Sequence, residues 1–203
     1  AAGYRTLAIG KWHLGAHPQF HPNRRGFDYF YGFLGSGHVY LADANSSVEY
    51  KIPMNRNGKE ETLTGYLTDV LGQEASQAIK SNEHNPWFMY LTFNAPHTPF
   101  HLTPALMERT KHFQKGPRSL YAGLVMGMDD AIGEVCATLK NSGQEENTVI
   151  FFISDNGGGN NIAQIKKNQS AKERVGPGSG VGEELTTRRK PPFLWGRGPS
   201  HGG

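Results

Sequence analysis

Three short apolar runs, separated by stretches with helical spacing, restrict this chain more than any other feature. The runs are Thr6-Leu7-Ala8-Ile9, Trp87 to Phe93, and Val149-Ile150-Phe151-Phe152-Ile153. The last is continuously apolar, the pattern of a strand covered on both faces in a parallel sheet. Between the runs, Tyr66 to Lys80 places Leu67, Val70, Leu71, Ala75, Ala78 and Ile79 on one stripe. Ser119 to Asn141 repeats the pattern with Leu120, Leu124, Met128, Ile132, Val135 and Leu139, before a stop at Gly143. Strands alternating with helices predict an α/β layer architecture, with helices flanking a mostly parallel sheet.

Residues 16–62 are dense in Gly, Pro, Asn, His and aromatics, and predict a long surface-and-cleft connection rather than regular elements. After Asn156 the apolar periodicity stops. The charge changes at the same place: residues up to 156 hold 13 Lys/Arg and 15 Asp/Glu, whereas the remainder holds 8 and 3. The remainder is also rich in Gly and Pro, so residues 162–203 are expected to form a basic, Gly-rich tail that is irregular or disordered. The longest apolar run, Thr148 to Ile153, falls far short of the roughly 20 residues that span a bilayer as a helix. Cys136 is the one cysteine, which excludes an internal disulfide framework and a cysteine-built zinc site. Ala1-Ala2-Gly3-Tyr4 has no signal-peptide pattern and reads as a start inside a domain.

In open α/β sheets ligands bind beyond the carboxyl ends of the strands. The residues that follow the three runs are strongly polar: Gly10-Lys11-Trp12-His13-Leu14-Gly15, Asn94-Ala95-Pro96-His97-Thr98-Pro99, and Ser154-Asp155-Asn156-Gly157-Gly158-Gly159. If the strands are parallel, all three sets converge on one rim. Asp155 and Asn156 offer oxygen donors suited to Ca²⁺ or Mg²⁺, although two are fewer than the six or so that such an ion takes. Lys11 offers a point charge for a sulfate or phosphate oxygen, and His13 and His97 can carry protons near neutral pH. That combination suits hydrolysis of an ester of a strong oxyacid, which needs its oxyanion neutralised and its leaving oxygen protonated. Each residue also has a plainer reading. Asp155-Asn156-Gly157 is equally a turn, Lys11 a solvated lysine, and His97 a structural residue between prolines. Trp12 reads as a packing residue that orients its loop, Cys136 as a buried thiol, and Asp129-Asp130 as solvated or capping carboxylates.

Gly3-Tyr4-Arg5-Thr6 followed by Gly10-Lys11-Trp12-His13-Leu14-Gly15 resembles the second signature of the type I sulfatases, the formylglycine-dependent arylsulfatase family. Further blocks are similar to that family in the same order. They are Arg25 to Phe33, Tyr66-Leu67-Thr68-Asp69, Ala95-Pro96-His97-Thr98-Pro99, Tyr121-Ala122-Gly123 with Met128 to Gly133, and Ser154 to Gly158. The resemblance implies an alkaline-phosphatase-like α/β domain, incomplete at both ends, over residues 1–161. It implies a sulfuric ester hydrolase in which Lys11 and His97 bind sulfate, His97 protonates the leaving alcohol and His13 assists breakdown of a covalent sulfate intermediate. It also implies that Asp155 and Asn156 are two ligands of one Ca²⁺. The nucleophile in this family is a formylglycine made from the cysteine of a Cys-x-Pro-Ser-Arg segment. That segment is absent from this chain, where Cys136 is followed by Ala137-Thr138-Leu139, so the chain by itself is expected to be inactive.

The implied partner is a sulfated small molecule or glycan, with no membrane and no nucleic acid, since the basic tail offers only Phe193 and Trp195 as aromatics. Selectivity is expected from the 16–62 segment, with His17, His21 and His38. By analogy with the family, the location is secreted, periplasmic or lysosomal. Two other functions fit less well: a non-catalytic sulfated-glycan-binding remnant, and a phosphoryl or phosphonate hydrolase of the same superfamily, against which the Gly-Lys-Trp-His signature argues.

Overall fold

A computed structural model of the chain describes residues 2–113 and 116–157. The tail expected over residues 162–203 lies outside the described residues, as do Gly158 and Gly159. Five strands form one sheet in the order β4-β3-β2-β1-β5. β1 (Arg5–Lys11) is central, with β2 (Tyr29–Phe33) and β5 (Trp87–Thr92) parallel to it on either side. β3 (Met54–Arg56) and β4 (Lys59–Glu61) add an antiparallel hairpin beyond β2, so the sheet is mixed rather than wholly parallel.

The two helices expected from periodicity are α1 (Leu67–Ser81) and the long α3 (Pro117–Asn141), with a short α2 (Pro104–Arg109) between them. Prolines stand at the start of α2 and α3, where a missing N–H costs nothing, and the Thr103 hydroxyl caps α2 by accepting from Leu106 N–H. α1 and α3 pack together on one face of the sheet. Leu7 and Ile9 of β1, with Tyr31 and Phe33 of β2, meet Leu67, Leu71 and Ala75 of α1 and Leu124 of α3 there. Along β1 the intervening Ala8 turns to the other face, where it joins Trp12 and Phe30, with Phe27 and Leu34 alongside. Burial of the first face is the main source of stability, because apolar area removed from water outweighs the other favourable contributions.

Two expectations are corrected. The 16–62 segment is not devoid of regular structure: β2, β3 and β4 lie within or at the end of it. Conversely, Val149 to Ile153 forms no strand. All five side chains stand between 60% and 81% exposed, and the segment pairs with no strand among the described residues. A continuous apolar run becomes a strand only when a neighbour accepts its backbone hydrogen bonds and both faces are covered. Neither condition is met here. Asp129 and Asp130 are exposed and Trp12 is buried, as the plainer readings expected, although Asp130 also pairs with Arg109 of α2, and Cys136 is only partly buried.

Candidate active site

The parallel register brings the ends of β1, β2 and β5 to one rim, with Lys11 beside Phe33 and Gly10 beside Thr92. Lys11 is therefore the last residue of β1, His13 lies just beyond it, and His97 lies in the loop after β5. The backbone is fixed at this level by Thr92, whose hydroxyl donates to the Lys11 carbonyl at 2.7 Å. Trp12 anchors the next turn: its backbone N–H donates to the Phe33 carbonyl at 3.0 Å and its indole N–H to the Phe20 carbonyl at 2.9 Å. The chain then turns through His13, which adopts φ 49°, a left-handed conformation uncommon for a residue with a Cβ, and is exposed.

Partial burial pulls the Lys11 ammonium below its usual pKa, and the Asp155 carboxylate pushes it back up. Asp155 is thus within electrostatic reach of Lys11, although the strand expected to carry it there is not formed. The exposed Asp155 carboxylate accepts the Asn156 backbone N–H at 2.8 Å, and the Asn156 side-chain amide donates to the Gly157 carbonyl at 2.8 Å. Locally, then, both side chains bond to their next neighbours in the chain.

His97 is held from three directions. Its backbone N–H donates to the Asn94 carbonyl at 2.8 Å, and its carbonyl accepts the hydroxyl of Tyr40, a fully buried residue, at 2.9 Å. The buried Asn94 amide in turn donates to the His38 carbonyl at 3.0 Å. The ring Nδ1 of His97 lies 2.6 Å from the Thr98 carbonyl, which can only accept, so Nδ1 carries the hydrogen. Nε2 is left to hold or release a proton elsewhere.

The three histidines expected to select the substrate each have at least one ring nitrogen engaged by the local backbone. His17 and His21 accept N–H groups of Gln19 and Asn23. His38 is buried with its two ring nitrogens 2.7 and 2.8 Å from the carbonyls of Val39 and Ile52. From the same segment, it is Tyr50 that reaches the rim, its ring centroid 6.3 Å from that of His97. Tyr40, Asn94 and Tyr50 were not singled out from the sequence; the one signal there was an aromatic-rich loop and an amide at a strand end.

A hollow of about 690 Å³ lies at the opposite ends of β1 and β2, lined by Arg5, Asp28, Tyr29, Arg56, Glu74 and Asn85 among others. Its Arg56 guanidinium is already occupied, donating to Glu61 at 2.9 Å and to both Glu74 oxygens at 2.7 and 3.0 Å, and lying over the Tyr31 ring. Position at the strand carboxyl ends, not size, picks out the rim of Lys11 and His97 as the site.

Comparison with known proteins identifies the family. The sulfatase family model matches residues 1–176. The chain is 32% identical over 170 residues to N-acetylgalactosamine-6-sulfatase of Rattus norvegicus, covering 77% of this chain and 31% of that protein. It is 33% identical over 163 residues to arylsulfatase J of Mus musculus, covering 77% and 27%. Among solved structures, Ps i-CgsB in complex with k-i-k-neocarrahexaose superposes with a TM-score of 0.66 at 39% identity, over 70% of this chain and 35% of that one. The chain spans about a third of the length of these relatives. Its α/β sheet with flanking helices is the alkaline-phosphatase-like architecture of those structures, and the chain belongs to the sulfatase family.

Proposed function

We propose that the protein containing this chain hydrolyses sulfate monoesters of sugars. The observation that carries the reading is the shared rim: a partly buried ammonium, Lys11, and a histidine, His97, whose tautomer leaves Nε2 unengaged, stand at the ends of neighbouring parallel strands. Lys11 pairs with a sulfate oxygen, which offsets the cost of keeping its charge partly out of water. His97, protonated at both nitrogens, keeps Nδ1–H on Thr98 and gives the Nε2 proton to the departing sugar oxygen, so that an alcohol leaves rather than an alkoxide. His13, exposed beside Lys11, takes part in proton transfer during sulfate release. The sugar class is supported by two relatives, one named N-acetylgalactosamine-6-sulfatase and one solved with k-i-k-neocarrahexaose.

Neither Ca²⁺ nor formylglycine is accommodated by the described residues alone. They contain no group of three His, Cys, Asp or Glu able to hold a metal, and Ca²⁺ takes about six to eight oxygens. Cys136 sits on α3, away from the rim loops in the fold order, and lacks the Cys-x-Pro-Ser-Arg context. In this proposal Asp155 and Asn156 are two donors of a metal site completed by residues beyond those described, and the nucleophile is likewise supplied from outside them. The 203-residue chain by itself then binds sulfate without turning over its esters.

Calorimetric titration of the chain with sodium sulfate, alongside a chromogenic aryl sulfate assay, tests this. Lys11→Ala is expected to weaken sulfate binding about tenfold or more, as loss of a charge-assisted contact implies, and turnover is expected to match that of a His97→Ala control. Sulfate binding indifferent to Lys11→Ala, or turnover well above the control, overturns the reading.

A further inference from the structure

Resting on the sulfatase reading, we infer that Tyr50 is a specificity-determining residue: its ring is the platform for the sugar that carries the sulfate. Tyr50 closes a short 3-10 turn, Val48–Tyr50, whose main chain is tied at both sides. Its N–H donates to the Ser47 carbonyl at 3.1 Å and its carbonyl accepts the Val39 N–H at 2.9 Å. The ring is therefore presented by a fixed backbone. It is half-buried, tilted 60° to the His97 imidazole at a centroid separation of 6.3 Å, and its hydroxyl makes no hydrogen bond among the described residues.

Gly37 makes this pairing possible. A Cβ at Gly37 would stand 2.8 Å from Tyr50 Cε1 and 3.1 Å from His97 Nδ1, so the tyrosine and histidine share one main-chain floor that any side chain would break. The ester oxygen must lie at His97 Nε2 to be protonated. For Tyr50 to serve as the platform, the first sugar ring beyond that oxygen must reach the neighbouring aromatic ring, whose centroid lies 6.3 Å from that of the imidazole. A pyranose has an apolar face of C–H groups and a rim of hydroxyls, which a tyrosine matches with an apolar body and a polar tip. Inorganic sulfate has no such face and has no reason to touch Tyr50.

The test compares three probes on the full 203-residue chain: sodium sulfate, methyl β-galactopyranoside 6-sulfate, and the unsulfated methyl β-galactopyranoside. Affinity is read by calorimetry, and the Tyr50 ring signals are followed by NMR with selectively labelled tyrosine, assigned from Tyr50→Phe. Both sugars are expected to shift the Tyr50 ring signals and sulfate to leave them in place. Tyr50→Ala should weaken the sulfated sugar about five- to tenfold, while sulfate affinity stays within about twofold and Tyr50→Phe retains sugar binding, as stacking by the ring body implies. Equal loss of sulfate and sugar in Tyr50→Ala would make Tyr50 a mere prop for the His97 loop and overturns the inference, as do unmoved ring signals or no binding of either sugar. If Tyr50→Ala does not fold, the ring signals and Tyr50→Phe decide alone. Sulfate binding that depends on Lys11 with unmoved Tyr50 signals defeats the inference and spares the sulfatase reading. Sugar-shifted Tyr50 signals with no dependence on Lys11 do the reverse.

Discussion

Replacing Gly10 with alanine should unfold or nearly unfold the chain, for a reason that can be worked from three adjacent strands. Gly10 lies in β1 between Gly32 of β2 and Thr92 of β5. A Cβ there would stand 1.9 Å from the Thr92 carbonyl oxygen and 2.7 Å from its carbon, both backbone atoms that cannot swing away. Reaching the 3.4 Å of ordinary contact asks β1 and β5 to part by about 1.5 Å. Such an opening takes the neighbouring N–H···O bonds well past their usual length. Two or three lost bonds, at roughly 0.5–1.5 kcal/mol each, cost about 1–4 kcal/mol. Gly10 also has φ +112°, a conformation that costs a residue with a Cβ a further 1–3 kcal/mol or so. The sum, about 2–7 kcal/mol, reaches the whole stability of many domains, about 5–15 kcal/mol.

Two controls separate the causes. Gly26 has φ +102° but nothing within 4 Å of its would-be Cβ, so Gly26→Ala bears the backbone cost alone. For Gly32 the Cβ would meet the Gly10 carbonyl oxygen at 1.9 Å with no positive φ, so Gly32→Ala bears the steric cost alone. Urea unfolding followed by far-UV circular dichroism should rank Gly10→Ala as the most damaging, with Gly26→Ala the mildest. A Gly10→Ala midpoint equivalent to within about 1 kcal/mol of Gly26→Ala would refute the reasoning, since a steric clash of this size cannot be free.

Two further outcomes are expected. Tyr40→Phe removes the hydroxyl that holds the His97 carbonyl; it should lower stability by about 1 kcal/mol in urea unfolding and shift the His97 ring signals, and unshifted signals would show that Tyr40 does not position the loop. Asp28 accepts the Thr6 N–H at 2.9 Å and its hydroxyl at 3.0 Å, which holds its carboxyl below the usual pKa. The stability it adds is present above the ordinary aspartate range and is lost as pH falls through the lower, folded value. Asp28→Asn should therefore flatten the acid limb of a stability-against-pH curve, and an unchanged limb would contradict this.

The elements that could be read from the sequence are those whose periodicity repeats. α1 and α3 bury one stripe each, and the sequence spacing of Leu67, Leu71 and Ala75, or of Leu124 and Leu139, reports that stripe directly. β2 hid because its five residues, Tyr29-Phe30-Tyr31-Gly32-Phe33, carry aromatics on both faces inside a segment full of turn formers. The hairpin of β3 and β4 carried a signal that the reading of 16–62 as a connection passed over. Asn57-Gly58 has φ 52° and 90°, the positive values that a two-residue hairpin turn requires, and Asn-Gly is its strongest sequence signal. Val149 to Ile153 misled in the opposite sense: apolar content states what a segment would gain from burial, not whether a partner strand is at hand.

The site divides along a similar line. Lys11, His13, His97, Asp155 and Asn156 stood out because charged, proton-carrying or oxygen-donor groups just after apolar runs suggest chemistry by type alone. The residues that place His97 are neutral, and their type says nothing. Tyr40 is a buried aromatic like many others until its hydroxyl is seen on the His97 carbonyl, and Asn94 is a common turn residue until its amide is seen on His38. Gly37 is one of 26 glycines until a Cβ is built between Tyr50 and His97. His38 shows the converse, since histidine type suggested ligand contact where backbone carbonyls face both of its ring nitrogens, and His17 and His21 each have Nδ1 engaged by a backbone N–H. A histidine with one nitrogen on a carbonyl and the other available, the arrangement the proposed role of His97 needs, can be told from one like His38 only by locating the carbonyls around it.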